Sequence, residues 1–225
     1  MPSSFDYGHN AALLVSELFP DPNTAGREAA IVSMLLDVIR NNRGGIFILT
    51  TSILAINSFE VSLKAQLQNE REILCQNGSM SNTNLLKRFK ELGNAILIGT
   101  SSFWAGVDVQ GSALSLVIID KLPFQSPSDP VFKARCAYYD QNHDNHPRSF
   151  VDISVPEAVI DLRQGAGRLI RHESDTGAMV ICDPRILKKG YGNLFMKSLP
   201  PVTICKTVPQ LQAFLDDLNR RNNHI

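Results

Sequence analysis

An α/β fold, a parallel β-sheet covered by helices, is what this 225-residue sequence predicts, on three observations. Four short runs are almost wholly apolar and rich in β-branched or bulky residues, as strands buried on both faces must be. Longer amphipathic stretches with helical spacing separate them, the alternation of a helix-covered parallel sheet. Gly, Asp or Pro bounds each run and stops it at strand length.

The elements follow in chain order. Residues 1–22, including Pro2-Ser-Ser-Phe-Asp-Tyr7, carry apolar side chains without a sustained period. They are expected to be a leading segment from a domain junction, in a chain that reads as an excised piece, with the domain proper over 23–225. A helix is predicted over 25–41, then the strand Gly45-Ile-Phe-Ile-Leu-Thr50, then a helix over 53–69 that Ser52 can cap. A helix at 83–92 precedes the strand Ala95-Ile-Leu-Ile98, and the strand Leu114-Ser-Leu-Val-Ile-Ile119 precedes a helix at 129–143. Residues 144–156 read as a loop, and His143 and His146 beside it have no partner ligands at metal-binding spacing. Ser154-Val-Pro-Glu157 then opens a helix over 155–171, with Ser154 as cap, Glu157 completing a capping box and Pro156 in the first turn. The strand Ala178-Met-Val-Ile-Cys182 and a helix over 208–220 complete the pattern.

Composition narrows the function. Apolar residues make up 44% and charged residues 20%, a globular rather than disordered balance. Lys and Arg equal Asp and Glu at 22 each, so a wholesale basic footprint for nucleic acid is absent and any such contact is local. Cys75, Cys136, Cys182 and Cys205 are too far apart for a metal knuckle or a disulfide framework, and single thiols of this kind suit burial in a reducing compartment. No apolar run approaches a membrane span and no signal peptide opens the chain. The reading is a cytosolic soluble domain with no membrane partner.

The strongest functional signal is Gln164-Gly-Ala-Gly-Arg-Leu-Ile-Arg171. Two glycines in a helix cost about 1 kcal/mol each relative to alanine, which a sequence accepts where something must approach the backbone closely. Gln164, Arg168 and Arg171 fall at i, i+4 and i+7 and share one face. Two guanidiniums and an amide aimed together suit a clamp on phosphate oxygens. A solvated face, ion-paired with Asp161 and Glu173, is the plain alternative. A dinucleotide-binding fingerprint does not fit, because the third glycine is missing and the pattern lies inside a helix.

The same residues resemble motif VI of superfamily-2 helicases, in the form used by the DinG and XPD-like branch. Gly99-Thr-Ser-Ser-Phe-Trp-Ala-Gly-Val-Asp-Val109 resembles that branch's motif V, and Thr50-Thr-Ser52 its motif IV. Ser4-Phe-Asp-Tyr7, Leu114 to Phe124, and Asp183-Pro-Arg-Ile-Leu through Lys189-Gly-Tyr-Gly192 are also similar, so the resemblance spans nearly the whole chain. It implies a RecA-like second motor domain that closes over ATP and Mg2+ held mainly by a first motor domain. Arg168 and Arg171 would then act as arginine fingers, worth about 10³–10⁵ in rate, with Gln164 beside them. Gly106, Asp108, Gly165 and Gly167 would shape the nucleotide side. Thr51, Ser52, Thr100 and Ser101 would touch the backbone of single-stranded DNA.

Trp104 suits core packing or base stacking, and Arg185, Lys188, Lys189 and Lys197 suit a solvated face or a line along phosphates. Ala105 departs from the family, which commonly carries glutamate there. No Gly-x-x-x-x-Gly-Lys-[Ser/Thr] loop and no Asp-Glu-x-His box occurs, so the chain alone is expected to hydrolyse no ATP. An iron–sulfur cluster, common in the family, would belong to the parent protein. The resemblance therefore implies the second motor domain of a bacterial, cytoplasmic DinG-like 5′→3′ DNA helicase with a repair duty. A non-catalytic nucleic-acid-binding or regulatory module on the same fold is the alternative.

Overall fold

The computed structural model describes residues 7–100, 114–142, 147–167, 169 and 176–222. A short helix α1 (Tyr7–Asn10) leads into β1 (Ala11–Val15), followed by α2 (Arg27–Asn41), β2 (Gly45–Thr50), α3 (Ile53–Leu67) and β3 (Ile73–Cys75). Next come α4 (Asn82–Leu92), β4 (Ile96–Thr100), β5 (Leu114–Ile119) and α5 (Pro130–Gln141). A π-helical turn (Phe150–Ser154) runs directly into α6 (Val155–Ala166), then β6 (Gly177–Ile181), α7 (Arg185–Lys188), α8 (Gly192–Ser198), β7 (Thr203–Cys205) and α9 (Val208–Asn222).

The seven described strands form one sheet in the order β3-β4-β2-β5-β6-β1-β7. Every pairing in it is parallel. Side chains alternate between faces along each strand. Phe47 and Leu49 pack with Phe89 of α4, Leu162 of α6 and Phe195 of α8. Ile46 and Ile48 face the other way, toward Leu35 of α2, Phe59 of α3 and Leu211 of α9. The sheet is thus covered on both sides, which explains the continuous apolar runs of its central strands.

Three expectations need correcting. Within the expected leading segment, Ala11–Val15 is an internal strand of the sheet, paired with β6 on one side and β7 on the other. Its five residues are all buried, so short length rather than polarity hid it. Residues 150–154 are a π-helical turn rather than loop, because Asp140 at the end of α5 gathers the chain. Its carboxylate accepts from the backbone N–H groups of Arg148 and Ser149 and from the Ser149 hydroxyl, all at 2.7–2.8 Å. Consequently Ser154 is already helical, with φ −64° and ψ −44°, and its side chain caps nothing. Glu157 pairs with Arg135 instead of closing a capping box. Helix α6 also ends earlier than expected, at Ala166, with Gly167 at its C-cap.

Candidate functional site

In an open parallel sheet ligands collect where the strands end. At the carboxyl edge β2 delivers Thr50-Thr51-Ser52 to the start of α3. Thr50 is buried and its hydroxyl donates to the Ser52 carbonyl at 3.1 Å. The Ser52 Oγ accepts the Ala55 N–H at 3.2 Å, as the sequence predicts for a cap. Capping uses a lone pair, so the Ser52 proton still has a direction of its own. Thr51 and Ser52 are both exposed.

Thr100 ends β4 beside them, in register with Thr50. Its N–H and its hydroxyl both donate to Gln76 Oε1, at 2.8 and 2.9 Å. The proton that would reach a phosphate is therefore directed at Gln76, a residue that sequence reasoning missed. Ser101, Gly106 and Asp108, with Trp104 and Ala105, lie outside the described residues, as do Arg168, Arg171 and the two loop histidines.

The ends of β5 and β6 complete this edge with buried charge. Arg27, Asp120 and Asp183 are each at most 1% exposed. Arg27 pairs with the Asp120 carboxylate and donates to the Asp120 and Cys182 carbonyls at 2.7 and 2.8 Å. Asp183 accepts the Leu122 N–H at 2.9 Å and the guanidinium of Arg185 at 2.6 Å. Burial pulls the Arg27 guanidinium below the ordinary arginine range, while Asp183 and Glu28 pull the other way. Burial also lowers the Lys121 ammonium, helped by the nearby Arg27 charge. The expected basic line is thus partly spent within the chain: Arg185 folds onto Asp183, and Lys188 lies 3.6 Å from Asp21.

Helix α6 carries the glycine-rich segment away from this edge. It starts at Val155, next to Ser154, which lines the same cleft as Thr51 and Lys121. It ends near the opposite edge, where a Cβ on Gly177, the first residue of β6, would stand 2.8 Å from Leu169 Cδ1 and 2.7 Å from the Ser115 carbonyl. Gly165 is buried against the sheet, while Gln164 and Gly167 are exposed. The predicted site residues therefore divide: Thr51, Ser52 and Thr100 at the carboxyl edge, Gln164, Gly165 and Gly167 at the amino edge. Among the described residues no helix is long and apolar enough to cross a membrane.

Residues 35–202 match the family described as helicase C-terminal domain. The chain is 42% identical over 218 residues to the ATP-dependent DNA helicase YoaA of Escherichia coli K12, covering 96% of the chain and 33% of that protein. It is 32% identical over 219 residues to the ATP-dependent helicase DinG of Mycobacterium tuberculosis H37Ra, covering 97% of the chain and 32% of that protein. The chain thus spans about a third of the length of the curated relatives it matches. Its fold is similar to that of a solved XPD helicase, with a TM-score of 0.63 at 13% identity over 88% of the chain and 36% of that structure.

Proposed function

The chain belongs to the helicase C-terminal domain family, and from that premise we propose that it is the second motor domain of a DinG-like, ATP-dependent 5′→3′ DNA helicase of the bacterial cytoplasm. The observation that carries the proposal is the match of residues 35–202 to that family on a RecA-like sheet, with its two groups of site residues at opposite edges. A motor must hold nucleotide and nucleic acid apart yet connected, and α6 spans the distance between the two edges.

At the amino edge the residues fit one wall of a nucleotide site. Gln164 presents an exposed amide, and Gly167 leaves the backbone bare just before Arg168 and Arg171. ATP with Mg2+, held mainly by a first motor domain, would supply the phosphoanhydride to be broken. Arg168 and Arg171 would neutralise charge that grows on the transferring phosphoryl group, and Gln164 would orient a water or a phosphate oxygen. Gly106 and Asp108 would shape the same wall. At the carboxyl edge Thr51, Ser52, Thr100 and Ser101 would contact the phosphates of single-stranded DNA, Thr100 by turning its hydroxyl from Gln76. The four cysteines supply no cluster site in this reading; an iron–sulfur group would sit elsewhere in the longer protein.

The test is single-strand-stimulated ATP hydrolysis by the full-length protein, wild type against Arg168→Ala, with nucleotide affinity measured alongside. Turnover should fall by about 100-fold or more while nucleotide affinity changes little, the signature of a transition-state contact. Unchanged turnover would leave Arg168 a surface residue. The isolated 225-residue chain should hydrolyse no ATP, and robust hydrolysis by it would contradict the proposal.

A further inference from the structure

We propose that the cleft between α5 and the carboxyl edge of the sheet is a base-stacking subsite, which takes one nucleobase of single-stranded DNA on the ring of Phe150 and the adjoining phosphates on Thr51, Lys121 and Lys133. This rests on the proposed DNA contact at that edge and adds a place for a base to a reading that otherwise concerns only phosphates.

The cleft has a volume of about 640 Å³, within the usual range of small-ligand sites. In a chain with equal numbers of cations and carboxylates, its described lining holds Lys121, Lys133 and Arg185, the last already paired with Asp183 behind it, and no carboxylate. The nearest acidic groups to Lys121, Glu28 and Asp120, are each 3.9 Å from its ammonium, beyond a tight hydrogen bond. An anion is the complement of such a wall.

The apolar part of the lining includes Phe124, Phe132 and Phe150, and the first and last of these rings are held in place. Phe124 stacks on Phe150 with ring centres 5.5 Å apart and 29° between planes. Tyr191 meets both rings edge-on, at 5.6 Å from Phe124 and 5.5 Å from Phe150, and the fully buried Phe195 meets Phe124 at 5.8 Å. The Arg185 guanidinium lies 5.4 Å from the Phe124 ring centre. Phe150 itself remains 47% exposed. A ring held by two aromatic neighbours, Phe124 and Tyr191, yet half open to solvent is a preformed platform. It opens the π-helical turn that Asp140 gathers, and π turns recur at functional sites. Flat apolar surface beside cations is the arrangement by which proteins hold single strands, with base–aromatic stacking and phosphate pairing together.

Fluorescence anisotropy of a labelled twelve-nucleotide oligothymidylate, and of an abasic oligomer of the same length, tests this on the 225-residue chain. Phe150→Ala should weaken thymidylate binding by about 5- to 100-fold, Phe150→Tyr should retain it, and neither should alter abasic binding. Thr51→Val should weaken both oligomers. If Phe150→Ala leaves thymidylate binding unchanged while Thr51→Val weakens both, the subsite is wrong and the phosphate edge stands. If the wild-type chain binds neither oligomer, the underlying DNA reading fails as well. Photocrosslinking of 5-iodouracil oligomers to the wild-type chain needs no variant. Adducts should map to Phe150 or Phe124, and adducts confined to other residues would overturn the subsite.

Discussion

Arg27 and Asp120 stand 93 positions apart in sequence and meet in a buried ion pair under the carboxyl edge of the sheet. The same guanidinium donates to the Pro20 carbonyl at 3.1 Å and to the Cys182 carbonyl at 2.8 Å. One side chain therefore ties the β1–α2 connection to the ends of β5 and β6. Gly26 makes this possible: its φ of +69° turns the chain so that α2 begins with Arg27 pointing inward.

A buried pair of this kind is costly to break and cheap to replace. Arg27→Met leaves the buried Asp120 carboxylate with only the Lys121 ammonium, 3.9 Å away, and should cost about 3–5 kcal/mol in equilibrium denaturation. Adding Asp120→Leu should recover a large part of that loss, since the uncompensated charge is then gone. A single variant within about 0.5 kcal/mol of wild type would show that the pair is not held as described.

Gly192 gives a second, sharper test. A Cβ there would lie 1.9 Å from the Ile186 carbonyl oxygen and 2.6 Å from its carbon, both backbone atoms that cannot swing away. At Gly190, two residues earlier, a Cβ meets nothing within 4 Å. Gly192→Ala should therefore destabilise by about 1–3 kcal/mol or more, and Gly190→Ala should stay within about 0.5 kcal/mol. Equal melting temperatures for the two variants would contradict the close approach of α8 to α7.

Which features could be read in advance follows from the range of the forces involved. β2, β4, β5 and β6 announce themselves because both of their faces are buried. β3 and β7, three residues each at the sheet edges, have too little length to show a pattern. Ser52 is legible as a cap because capping acts over three residues. Arg27 and Asp120 are not, because nothing local marks a pair 93 residues apart. Phe150 looks like loop in sequence, since the π turn that presents it depends on Asp140 from the preceding helix.

The thiols test burial directly. Cys75, Cys182 and Cys205 are buried and Cys136 is partly exposed. Burial, with Glu60 nearby, pushes the Cys75 thiol up to about 12, and burial raises Cys182 and Cys205 too. At pH 8 a maleimide should label Cys136 alone in the native chain and all four cysteines in denaturant, read by mass spectrometry. The sign of the pH effect follows: the folded state holds these protons more tightly, so their contribution is full below the unfolded thiol value near 9. It is lost as pH rises toward 12. Stability should fall across that window, and less steeply in Cys75→Val.

Ser52 separates a structural hydroxyl from a DNA contact. Its Oγ accepts from Ala55 N, so Ser52→Ala should cost about 1 kcal/mol of stability whatever the edge binds. Ser52→Asp keeps an acceptor at the cap and sets a negative charge at the helix N-terminus, so stability should hold or rise. If DNA phosphates lie against this turn, that same carboxylate repels them, and oligonucleotide affinity should drop about tenfold or more at low salt. The loss should narrow as salt screens the repulsion. A Ser52→Asp chain that melts like wild type yet binds DNA equally well at every ionic strength would leave Ser52 as a cap alone, and the phosphate path would have to avoid the start of α3.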